Sequence, residues 1–129
     1  MSAMKTVNRP AFTLIELLVV MAVIAVLMSL AVPQYFGRIE AAKEAVLREN
    51  LYLMRDAIDK HYGDRNRYPD ALTDLVTRRY LRRIPLDPVT DSDQTWIVVP
   101  PPDPRNGKVF DVKSGAPGNG RDGTPYGSW

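Results

Sequence analysis

The sequence predicts an α+β protein: one long N-terminal helix, apolar and then amphipathic, packed against a small head with a short helix and an antiparallel β-sheet. Three observations predict it. From Phe12 to Val32 the only polar residues are Thr13, Glu16 and Ser29. Apolar residues then recur at helical spacing through "GRIEAAKEAVLRENLYLMRDAIDKHY". The remainder carries one short helix pattern and two strand patterns divided by proline and glycine. A chain of 129 residues makes one small domain. Much of its 45% hydrophobic content sits in the first run, so the rest can bury only a modest core.

The first element is long enough for a membrane. At about 1.5 Å per residue, the apolar helix would extend roughly 30 Å. Lys5 and Arg9 precede it and no acid does, which should hold the amino end in the cytoplasm. Those two residues account for the excess of 17 basic over 15 acidic side chains. The rest is balanced, and nucleic-acid binding gains little support. A plain transmembrane anchor leaves Glu16 unexplained. An ordinary secretory signal peptide is a second reading, with Ser29-Leu30-Ala31 as its small-x-small cleavage pattern and Val32 as the new start. Its apolar core would be at the upper length limit, and an acid at its head is out of place. A carboxylate at mid-bilayer costs about 2.5–3.5 kcal/mol, less near an interface, so an intramembrane acid is usually functional and paired.

Pro33 lacks an amide hydrogen and should bend or loosen the helix. Beyond it, Ile39, Ala42, Val46, Leu53, Ala57 and Ile58 form an apolar stripe. Glu40, Glu44 and Arg48 lie on the other side, with Glu44 and Arg48 spaced as a four-apart ion pair. The helix is expected to reach about His61 and to end at Gly63. In the head, a short helix is expected from Asp70 to Tyr80, between Pro69 and Pro85. Strands are expected at Thr95–Val99 and Lys108–Lys113, joined by a stiff, polyproline-like loop ending in Asn106-Gly107. The glycine-rich tail from Ser114 to Trp129 reads as a loop, pinned to the head by Tyr126 and Trp129. Catalysis finds no footing. There is one histidine, no cysteine, no glycine-rich phosphate loop and no zinc-type spacing. His61 reads as packing, or as a cap at the helix carboxyl end.

"PAFTLIELLVVMAVIAVLMSLAVPQY" closely resembles the amino terminus of type IV pilins and type II secretion pseudopilins. The resemblance implies a pilin-like fold and a leader, residues 1–11, removed by a prepilin peptidase between Ala11 and Phe12. It implies N-methylation of Phe12. Residues 12–33 would form the transmembrane half of the long helix, 34–62 its amphipathic half, and 63–129 a periplasmic head with a C-terminal loop. Glu16 takes the place of the family's acid, five residues into the mature chain. Thr13, Leu14, Ile15, Leu17 and Leu18 fit the pattern, and Pro33 matches a recurrent helix-interrupting proline. The residue before the cut is normally Gly; here it is Ala11. Filament assembly falls to Phe12, Glu16 and Pro33, with the new Phe12 amine of one subunit meeting Glu16 of another.

"NRYPDALTDLV", "YLRRIPLDP" and "VFDVKSGA" resemble stretches of the major pseudopilin of type II secretion systems. The absence of cysteine departs from the disulfide that usually closes type IVa pilins. The resemblance implies a non-enzymatic subunit stored in the bacterial inner membrane with a single pass. It would homopolymerise into a periplasmic helical filament that drives protein export. Its implied partners are the prepilin peptidase, the inner-membrane assembly platform and minor pseudopilins, and no nucleic acid. A type IV pilin for adhesion or motility, and a periplasmic binding module behind a signal peptide, remain as alternatives. Arg78, Arg79, Arg82 and Arg83 are either a solvated helix face, with Asp74 supporting Arg78, or a contact for acidic residues such as Asp56 and Asp59 of neighbouring subunits. Major pseudopilins usually hold Ca2+ in the carboxyl loop. Here Asp122 is that loop's only acid, with Ser114 a second candidate ligand, and Pro117 stands where a ligand is expected. Asp122-Gly123 also reads as a simple turn.

Overall fold

The computed structural model describes residues 11–129. All of the expected leader except Ala11, including Lys5 and Arg9, lies outside the described residues. Two compact units are present, one ending at Gly37 and the other running from Arg38 to Trp129. Helix α1, Leu14–Arg65, has 52 residues and contributes to both.

In the first unit Thr13 opens α1. Its hydroxyl accepts from the Glu16 amide at 3.2 Å and its carbonyl from the Leu17 amide at 3.1 Å. Thr-x-x-Glu before an apolar run is a helix-start signature. The large apolar side chains from Leu14 to Leu30 are all exposed, from 49% at Val20 to 76% at Leu14. Pro33 lies inside α1 and removes the amide that would have bonded the Ser29 carbonyl.

In the second unit α1 buries one line: Glu44, Leu47, Leu51, Met54, Ile58 and His61, flanked by Ala57. Steps of three and four residues keep these on one face. The expected stripe is therefore only partly the buried one. Ala57 and Ile58 are buried, but Val46 and Leu53 are 48% and 42% exposed. Val46 precedes Leu47 by one residue, about 100° around the helix, so two apolar lines run side by side and the head covers one. Gly63 does not end α1. Open space surrounds it, and the helix continues to Arg65. The turn falls at Asn66, with φ 55° and its amide donating to the Tyr62 carbonyl at 2.7 Å. Asparagine is among the few residues that take this left-handed position readily.

Helix α2, Leu72–Thr77, is shorter than the expected 70–80. At its start the Asp74 carboxylate accepts from the amides of Asp70 and Ala71 at 3.1 and 3.3 Å. Asp74 is thus a cap and not the partner of Arg78. At its end the amides of Arg79 and Tyr80 reach back to the carbonyls of Val76 and Leu75 at 3.1 and 2.8 Å. This is a Schellman stop, with Arg79 at φ 64° where glycine is usual.

Strands β1, Trp96–Val99, and β2, Asp111–Ser114, pair antiparallel, with Trp96 opposite Ser114 and Val99 opposite Asp111. The second strand starts later than expected because Lys108 and Val109 are engaged elsewhere. Their amides donate to the Pro69 carbonyl at 3.2 and 2.9 Å, tying the loop to the entry of α2. The proline-rich link includes a 3-10 turn at Pro104–Asn106, capped by Asp103. Gly107 follows at φ 115°, where a Cβ would strike the Tyr68 carbonyl. Leu75, Trp96, Val109 and Val112 complete the core on α1, and Tyr126 and Trp129 pack against it, so the tail is pinned as expected.

Arg79→Gly should stabilise the head by about 0.5–1 kcal/mol, since a left-handed non-glycine residue costs about 1–2 kcal/mol and glycine gives some back through the unfolded chain. A raised midpoint in thermal unfolding of the detergent-solubilised protein checks this; a lowered one contradicts the assigned helix stop.

Candidate functional site

The residues that the sequence singled out fall at the amino end of the chain's long helix and in the head. At the amino end of α1, Ala11 and Phe12 precede the helix, and Phe12 is 85% exposed. Glu16 stands exposed in the first turn, where a negative charge complements the helix dipole. Among the described residues no ion pair includes it. The apolar part of the helix is long enough to cross a membrane, with a mean hydropathy of 2.8 and none of that stretch buried.

In the second unit, α1 presents a row of polar groups to the tail loop. The Glu44 carboxylate accepts from the Arg121 amide at 2.7 Å and from Arg121 Nε at 3.2 Å. Arg48 lies 3.5 Å from Asp122 Oδ2, and its guanidinium sits 4.3 Å from the Trp129 ring centre. Glu44 and Arg48 therefore do not pair with each other as their spacing suggested. Each reaches across to the loop instead. Arg55 donates from Nε to Asp111 at 2.9 Å, and from Nη2 to the Val112 and Trp129 carbonyls at 2.9 and 2.6 Å. One arginine thereby joins α1, β2 and the tail.

The candidate calcium ligands face other partners. Asp122 Oδ1 accepts from the Thr124 amide at 3.0 Å and from its hydroxyl at 2.6 Å. Ser114 is buried; its hydroxyl donates to Asp87 at 2.5 Å and accepts from the Ala116 amide at 3.1 Å. Among the described residues no three His, Asp or Glu side chains are grouped to hold a metal. Calcium takes six to eight oxygens. One carboxylate already bonded to Thr124, with a guanidinium beside it, is a poor fit.

The single histidine is fully buried. Its Nδ1 is 2.7 Å from the Arg67 carbonyl and its Nε2 is 2.6 Å from Arg78 Nη1. A guanidinium only donates and a carbonyl only accepts, so the ring carries its proton on Nδ1. His61 links the end of α1 to the end of α2, and no substrate can reach it. The arginine cluster is accordingly split. Arg78 belongs to His61 and Arg79 to the helix stop, while Arg82 and Arg83 flank a groove of about 650 Å3 lined by Val46, Leu53, Leu81 and Leu86. Of the acidic candidates, Asp56 is paired with Lys60 at 2.9 Å and Asp59 is exposed.

Sequence reasoning missed the long-range pairs. Glu44 and Arg121 are 77 positions apart, and Asp87 and Ser114 are 27 apart. The only local signal was Asp87 itself, placed between Leu86 and Pro88 to accept from the Val89 amide two residues on.

Residues 8–32 match the family model of the prokaryotic N-terminal methylation motif. Type II secretion system core protein G from Aeromonas hydrophila is 31% identical, covering 63% of this chain and 68% of the relative. The protein of the same description from Pectobacterium carotovorum subsp. carotovorum is 34% identical, covering 60% of each chain. The one from Pseudomonas aeruginosa is 30% identical, covering 63% of this chain and 68% of the relative. No solved structure matches the chain.

Arg67 beside Asp70, Arg105 beside Asp103, and the Thr124 hydroxyl on Asp122 hold these carboxyls below their ordinary value of 3.8. A carboxyl lowered in the folded state adds stability above its unfolded value and loses it as pH falls through the folded one. The contribution of these groups should thus be constant from neutrality to about pH 4 and decline below it. Asp70 and Asp122 are exposed and Asp103 is half-buried, so the decline should be shallow. Melting midpoints followed by circular dichroism at stepped pH check this, and an unchanged midpoint on acidification through that range contradicts it.

Proposed function

The chain belongs to the family of type II secretion system core protein G, the major pseudopilins, and we propose that it is the repeating subunit of a periplasmic helical filament whose growth drives protein export. It is a structural subunit and not an enzyme. The observation that carries the mechanism is the apolar half of α1, exposed along its whole length. At about 25 cal/mol per Å2, such a surface cannot stay in water. Before assembly the bacterial inner membrane covers it, with the head in the periplasm. After assembly the same helices of neighbouring subunits do.

Transfer from lipid to filament needs a signal for register, and Glu16 supplies it. Prepilin peptidase cleavage between Ala11 and Phe12 creates a positive α-amine, which is then methylated and remains a cation. In a staggered stack that amine meets Glu16 of a neighbour, so two charges that lipid or a dry core would each penalise neutralise one another. Pro33 leaves the Ser29 carbonyl without its helix donor, a place where α1 can loosen as subunits pack. The exposed line of Val46 and Leu53, with Arg82 and Arg83 beside it, offers a neighbour apolar surface and positive charge. Asp59 of the adjacent head is a matching acid. The inner-membrane assembly platform and minor pseudopilins complete the set of partners.

The mature protein isolated from its host membrane should have a mass that begins at a methylated Phe12. A start at Val32 would identify an ordinary signal peptide and refute the reading.

Glu16→Val removes a polar group from an apolar span, so membrane insertion should be as good or better. Leader cleavage should persist. Filament yield, compared at equal amounts of processed subunit, should fall steeply, because the Phe12 amine would enter the core uncompensated. Glu16→Gln should be intermediate at best. Normal filament yield from Glu16→Val would show that the carboxylate has no part in assembly.

A further inference from the structure

We propose that the tail loop of this chain is closed by arginine–carboxylate clamps to α1, with Arg121 on Glu44 at its centre, and that it folds without calcium. The inference rests on the geometry of the head and not on filament assembly. The family resemblance implies a calcium ion in this loop, yet its side-chain donors do not make a site for one. The loop's only acid, Asp122, has one oxygen on the Thr124 amide and hydroxyl and the other 3.5 Å from Arg48. A guanidinium there repels a divalent cation and already balances the carboxylate. Ser114 is buried and spends its hydroxyl on Asp87.

What a bound cation would do, neutralise carboxylates and draw the loop together, the chain does with its own cations. Glu44 is the acid on α1 that faces the loop, its side chain only 11% exposed. An acid so far removed from water needs a partner, and Arg121 provides two donors, amide and Nε. Arg48, one helical turn on, holds Asp122 by charge and Trp129 by stacking. Arg55, two turns further, donates to the Trp129 carbonyl at 2.6 Å. Trp129 Nε1 donates to the Thr124 hydroxyl at 2.7 Å, which closes the circuit back to Asp122. Residues 44, 48 and 55 share one face of α1, so a single helical row anchors the loop at three points.

The test uses the full-length protein in detergent micelles, with two readouts: the melting midpoint, and hydrogen exchange at the amides of Arg121 and Thr124. Both should be the same in millimolar calcium and in excess chelator. Arg121→Gln should lower the midpoint by roughly 4–8 °C and speed exchange in the loop, equally in the two conditions. Glu44→Arg combined with Arg121→Glu should recover part of the loss. A calcium-dependent rise of the midpoint in the unaltered protein overturns the proposal, as does unchanged loop protection in Arg121→Gln. If that variant fails to fold, the calcium comparison on the unaltered protein and the charge-reversed pair still decide. None of these readouts depends on leader cleavage or filament yield, so their failure is distinct from failure of the assembly reading.

Discussion

One helix has to meet two solvents, and the head covers only one line of its second part. Everything in the head is laid on that line. Leu47, Leu51, Met54 and Ile58 are wholly or almost wholly buried, and Leu75, Trp96, Val109 and Val112 close over them. Each such side chain contributes about 1.5–3 kcal/mol on burial. A core this small leaves a thin margin over the entropy of ordering the loops around it. The head has little regular structure of its own to add, with a two-stranded sheet and a six-residue helix.

Polar contacts therefore do more than decorate the surface. Arg55 ties β2 and the tail to α1, Arg78 and His61 tie α2 to the end of α1, and Asp87 ties the segment before β1 to Ser114 at the end of β2. Among the described residues no buried side-chain polar atom lacks a partner. In a low-dielectric core an unpaired group costs more than a pair gains, so these contacts specify where each loop sits as well as adding stability. That suits a subunit whose head is laid on a helix with an amino-terminal part that is long and apolar enough to cross a membrane.

The elements visible in the sequence were those with a repeating local signal: the long apolar helix, its amphipathic continuation, a hairpin of two strands and a pinned tail. Signals that depend on distant partners were not visible. Glu44 and Arg48 are spaced as a pair, and nothing nearby says that Arg121 and Asp122 will take them instead. Lys108 and Val109 have strand-like character, but the Pro69 carbonyl claims their amides. Gly63 looks like a helix stop, yet a glycine stops a helix only when the chain must turn there, and Asn66 does that three residues later. Asp122 and Ser114 were candidates for one metal because the family resemblance implies calcium in the carboxyl loop; packing sends one to Thr124 and Arg48 and the other to Asp87.

The misplaced apolar stripe has the same cause as the function. Periodicity could not choose between the line through Val46 and Leu53 and the line through Leu47, Leu51 and Met54, because α1 carries both. A helix in a self-sufficient soluble domain carries one such line, and its other faces are polar. Here the second line stays exposed on the head, and the amino-terminal part of α1 is apolar all round. The chain encodes more apolar helix surface than its own head can cover. Surplus of that kind is unstable in a lone molecule in water and satisfied in two settings, a bilayer or a bundle of copies. Under the proposed transfer of the subunit from the first to the second, the one carboxylate and one proline that interrupt this otherwise lipid-like segment are features that lipid does not ask for and that packing against copies in register would use.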